Sequence, residues 1–140
     1  MGRAILGVVA GLCTMFIVIM GIEYLGHQLY PPPGGLNPMV PTDLSAILAA
    51  QPAAAKAFVV LAWVLGAFAG GWVAAKISRT YPRAAAAVVA LAVMAGVVGM
   101  IVQLPDHPRW MAALGLLLPV PVALLAARLA RPRVVATPGL

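Results

Sequence analysis

Charge is what this sequence has least of: Asp, Glu, Lys and Arg make up 9% of its 140 residues, against 64% hydrophobic residues. A water-soluble domain needs far more polar surface, so that class is excluded. Cysteine is almost missing as well. The lone Cys13 leaves no intrachain disulfide and no Cys-x-x-Cys redox pair. There is no phosphate-cradling glycine loop, no nucleophile-and-base arrangement and no strong set of metal ligands, so an enzyme is not the expected reading, and the sequence requires no cofactor. Acids are scarcer still, with Glu23, Asp43 and Asp106 the only three.

What is present is apolar sequence in long blocks. A hydrocarbon core of about 30 Å needs roughly 20 helical residues, and only helices or closed barrels satisfy their backbone there. Four blocks qualify, at about residues 4–30, 57–75, 84–104 and 110–130. Between them stand Pro31-Pro32-Pro33-Gly34-Gly35, Tyr81-Pro82 and Pro105-Asp106-His107-Pro108, all residues that stop helices. The expected fold is all-α: an integral membrane four-helix bundle in which residues 1–140 form one transmembrane domain.

Lys and Arg mark cytoplasmic loops. Arg3, Lys76, Arg79, Arg83, Arg128, Arg131 and Arg133 fall at one end of the spans, and Lys56 and Arg109 at the other. Both termini are therefore expected in the cytoplasm, with the long 31–55 connector outside. The net charge of +6 comes mostly from this basic rim, which suits anionic lipid. The bilayer is the expected partner, and nucleic acid is not. The apolar run after Arg3 imitates a secretory signal, but it continues to Ile22 without an A-x-A site and reads as a retained span. Leu12 before Cys13, and Leu6 where myristoylation wants Ser or Thr, argue against lipid anchoring.

In the outer connector, Thr42 or Asp43 after Pro41 is placed to cap a short helix from Leu44 to about Gln51. Its Leu44, Ile47 and Leu48 face would lie at the membrane surface as a spacer or a lid. Spans associate in lipid through small residues. The expected seams are Gly7 and Gly11 in the first span, Ala62, Gly66, Gly70 and Ala74 in the second, and Ala92-Gly96 and Ala95-Gly99 in the third. They serve the bundle or a homo-oligomer. Pro119 and Pro121, mid-way through the fourth span, free the carbonyls of Gly115 and Leu117 and predict a kink.

Glu23 is the one acid inside any span, and an acid at membrane depth points to a function or to a dedicated partner. Phe16, Met20, His27 and Tyr30 share its side of an ideal helix, and Gly7 and Gly11 lie on another. The helix ends gather Glu23, His27, Lys56, Gln103, Asp106, His107 and Arg109 at one level. Three readings follow. Lys56, Arg109 or a histidine holds Glu23 in a structural polar cap; Glu23 carries protons or ions; or Glu23, His27, Asp106 and His107 bind a metal or haem.

The run Glu23-x-x-Gly26-His27-x-x-Tyr30-Pro31-Pro32-Pro33-Gly34, followed by Ala62-Trp63-x-x-Gly66-Ala67-x-x-Gly70-Gly71, resembles a group of small bacterial four-span membrane proteins. The resemblance covers the first two spans and their connector. It implies a bacterial inner-membrane location and a four-helix fold, and carries no activity. The role expected first is that of a non-catalytic accessory or stabilising component, within a homo-oligomer or a larger membrane complex. A small oligomeric transporter or channel using Glu23 comes second, and an outer-face metal or haem site third.

Overall fold

The structure is a computed structural model that describes residues 2–37 and 39–130. Arg131 and Arg133 of the basic rim lie outside these residues. The described chain is helical: α1 (Gly2–Leu29), α2 (Pro41–Ala50), α3 (Ala53–Ile77), α4 (Pro82–Gln103), α5 (Arg109–Leu117) and α6 (Pro119–Leu129). α1, α3, α4 and the α5–α6 pair are each long and apolar enough to cross a membrane, with mean hydropathy between 2.0 and 2.6 over their best windows. The chain is a multi-pass helical membrane protein.

Prolines set several boundaries. Pro82 opens α4 and Pro41 opens α2, positions where the missing amide donor costs nothing. Pro52, extended at φ −65° and ψ 160°, is the N-cap of α3. That start draws Lys56 into the first turn of α3, inside the span instead of ahead of it.

α3 is the central helix and touches α1, α4, α5 and α6. Two stripes of small residues explain how one helix serves so many neighbours. Gly66, Gly70 and Ala74 face α1, where a Cβ on Gly66 would meet Ile19 at 2.6 Å and one on Gly7 would meet the Ala74 carbonyl at 2.8 Å. Ala67, Gly71 and Ala75 face the other way. Ala67 packs with Val93, Val97 and Met111, and Ala75 with Ala86, Ala90, Ala123 and Ala127. Lipid offers no hydrophobic drive for these contacts, so close packing of small side chains must supply it.

The glycine contacts also give direction. Gly7 against Ala74, Ile19 against Gly66 and Gly26 against Phe58 run α1 antiparallel to α3, while Gly115 against Trp63 and Gly71 against Ala123 run the last span parallel to α3. Both ends of the described chain therefore lie at one end of the bundle, and α2 at the other. α1 is peripheral. Gly7 and Gly11 are its buried residues, while Ile5, Leu6, Phe16, Ile17 and Tyr24 turn outward.

Two expectations need correction. Among the described residues nothing lies within 4 Å of a Cβ built on Gly96 or Gly99, so no seam among them runs through these glycines; α4 packs through Ala86, Val89, Ala90, Val93 and Val97, on another face. α2 begins at Pro41, and neither Thr42 nor Asp43 caps it. Its N-cap is Val40, with no side-chain bond, and Asp43 Oδ2 instead accepts the Asn37 amide at 3.0 Å. The fourth span is interrupted at Leu118, one residue before Pro119, yet Leu118 keeps φ −81° and ψ −35°, so the chain stays in the right-handed helical region through the break.

Candidate functional site

Near the α2 end, α1, α3, α4 and α5 enclose a cavity of about 200 Å³. Its walls are Glu23, Gly26, His27 and Tyr30 of α1, Phe58 and Val59 of α3, Met100 of α4 with Leu104 just beyond it, and Met111 of α5. α2 roofs it with Leu44, Ile47 and Leu48, and Ile47 is buried. The spacing of these three residues puts them on one helical face, which explains how so short a helix closes the top. A Cβ on Gly26 would meet Phe58 at 3.4 Å, an ordinary contact, and Tyr30 meets the same ring tilted by 60° at 5.9 Å between centroids.

Two hydrogen bonds organise the polar rim. His27 Nδ1 donates to the Glu23 carbonyl one turn below at 2.8 Å, which fixes the ring along the helix. Gln51 Nε2 donates to the Tyr30 carbonyl at 3.1 Å and ties the α2–α3 junction to the end of α1. A carbonyl only accepts, so the amide orientation of Gln51 is settled, with Nε2 on Tyr30 and Oε1 the other atom of the pair. That Oε1 is buried without a partner.

The cluster expected from the sequence is divided. Glu23, His27 and Lys56 line the cavity. Lys56 and Asp106 line a second groove, between α2 and the α4–α5 turn. Gln103 and Arg109 are exposed and line neither. His107 is withdrawn from the rest, 7% exposed and stacked on Trp63 at 6.4 Å with ring planes 20° apart. Both of its ring nitrogens are buried without a partner, and burial holds its pKa below the ordinary 6.5, against a smaller opposing effect of the backbone at Pro108.

Glu23 is thus not held by Lys56 or Arg109. Among the described residues only His27 stands near enough to act on its carboxylate. The helix register shows why. Gly26 against Phe58 and Ile19 against Gly66 set Glu23 level with Leu61 and Ala62 of α3. Lys56 lies about five residues nearer the α2 end, roughly 7 Å at 1.5 Å per residue. The metal grouping fails too: among the described residues no three His, Cys, Asp or Glu side chains gather in a way that could hold an ion. Sequence reading passed over Met100, Leu104, Met111 and Phe58. They are apolar residues in apolar helices, and only the turn of each helix distinguishes a cavity wall from a lipid contact.

Comparison with protein families, curated proteins and solved structures finds no match to this chain.

Proposed function

We propose that this chain is a non-catalytic accessory component of a membrane, acting through contact with a protein partner. The observation that carries this reading is that the cavity ends blind. Beyond Glu23 towards the chain termini, the helices close on Ala74, Ala85, Ala86, Val89, Ala90, Ala123 and Ala127, all buried, with Ser78 the one buried polar side chain at that end among the described residues. The described residues of a single chain therefore offer no polar route from one face of the membrane to the other. α1, meanwhile, packs on its own bundle through Gly7, Gly11, Met15 and Ile19 and leaves a broad apolar face for lipid or another membrane protein. The basic residues near the termini support a cytoplasmic placement of both ends, with α2 at the opposite surface, and the resemblance of the Glu23–Gly34 run supports a bacterial inner membrane.

The test is gentle extraction from native membranes followed by identification of what remains bound, paired with flux measurements on the purified chain in liposomes. A stoichiometric partner and no flux under proton, sodium or potassium gradients are expected. Flux that depends on the chain and disappears in Glu23→Gln would overturn the accessory role in favour of an oligomeric transporter, in which a second copy completes the path.

A further inference from the structure

We infer that the cavity beneath α2 is a binding site for a lipophilic amine, its ammonium on the Glu23 carboxylate and its hydrocarbon body against Phe58, Val59 and Ile47. The inference does not depend on the accessory role. Three observations converge on this ligand class. The walls are almost wholly apolar, so a hydrocarbon body fits them. The deepest polar group is a carboxylate with no Lys or Arg at its own level, since α3 presents Leu61 and Ala62 there. A half-buried acid among apolar walls, with His27 of its own helix as the charge beside it, is costly, and a ligand ammonium lowers that cost by pairing with it away from bulk water. The third observation is at the rim, where the partnerless atom is again an acceptor: Gln51 Oε1, its amide nitrogen already committed to Tyr30. Glu23 and Gln51 Oε1 are both acceptors and select a donor, a cationic one first; Lys56, which also lines the cavity, is a cation set against them. Lys56, roughly 7 Å nearer the mouth by helix rise, sets the depth of the ligand charge, because it repels a cation that stops short of Glu23.

The full chain in phosphatidylcholine nanodiscs, titrated at neutral pH with n-octylamine and with n-octanol against empty discs, tests this directly. Saturable binding of octylamine is expected, with octanol showing partition only. Glu23→Gln should weaken octylamine binding roughly tenfold to a hundredfold, the worth of a charge-assisted contact. Lys56→Met, which removes the competing cation, should leave it unchanged or tighten it. Equal binding of octanol, or undiminished binding in Glu23→Gln, overturns the proposal and makes the cavity an acyl-chain site. Binding of octanoate that is lost in Lys56→Met overturns it in favour of an anion. Ile47→Trp guards against a Glu23 variant that fails to fold: it fills the space beneath α2 and should abolish octylamine binding, and persistence of that binding also overturns the proposal.

Discussion

Gly11 and Gly70 meet backbone to backbone. A Cβ on Gly11 would lie 2.7 Å from the Gly70 carbonyl oxygen, and one on Gly70 would lie 2.6 Å from that of Gly11. Neither oxygen can move without displacing a helix. Gly70→Ala also collides with Met15 and Val89, at 2.7 and 2.9 Å. Overpacking of this kind costs about 1–3 kcal/mol, more than the roughly 1 kcal/mol that alanine gains over glycine as a helix former. Gly70→Ala is expected to lower the unfolding temperature in detergent. Gly96→Ala and Gly99→Ala, which meet nothing among the described residues, should leave it unchanged or raise it slightly.

The orientation has its own test. Met39, just before α2, is 87% exposed, and Thr80, between α3 and α4, is exposed at the other end of the bundle. With Cys13 replaced by Ala, a membrane-impermeant maleimide should label Met39→Cys in intact cells. It should label Thr80→Cys only after permeabilisation. The reverse pattern would turn the molecule over and place the termini outside.

The four spans were legible because length and hydropathy alone decide what can cross a bilayer. The seam between α1 and α3 was visible in outline, since Gly7, Gly11, Gly66 and Gly70 recur at four-residue spacing. The same pattern at Gly96 and Gly99 made no seam, because spacing says which residues share a helix face and not which face meets a neighbour. The polar cluster failed for a related reason. Similar depth put Glu23, His107 and Arg109 in one group, but the turn between α4 and α5 carries His107 onto Trp63 and leaves Arg109 outside. The cavity depends on where α1, α3, α4 and α5 sit relative to one another and on where the 31–55 connector folds back, and neither is written in local sequence.

His107 makes stability depend on pH in a definite direction. Its pKa in the folded chain is lowered from 6.5 by burial, so the folded state holds the ring neutral while the unfolded chain protonates it near 6.5. The unfolded state then binds more protons in that window, and stability falls as the pH drops below about 6.5 towards the lowered folded value. Above 6.5 the ring is neutral in both states and contributes no slope. His107→Phe keeps an aromatic ring against Trp63 and removes the titration, so it should flatten the melting-temperature profile between pH 7 and 5. A profile as steep as that of the unsubstituted chain would assign the slope to another group.

α2 is the least anchored helix, and it should open without the bundle unfolding. It is tied down by the buried Ile47, its neighbours Leu44 and Leu48, and the Gln51–Tyr30 hydrogen bond just past its end, and it shares no extensive helix contact with any span. Cutting Ile47 back to Ala removes roughly 2 kcal/mol or more of buried side chain from a unit with little else to hold it. Local opening and global unfolding are separate equilibria, so the loss should appear only in the first. Amide exchange over residues 41–51 is expected to quicken about tenfold or more in Ile47→Ala, while exchange in α3 and the global melting temperature stay within error. If α3 exchange rises in step, α2 belongs to the cooperative core, and access to the cavity requires the bundle itself to loosen.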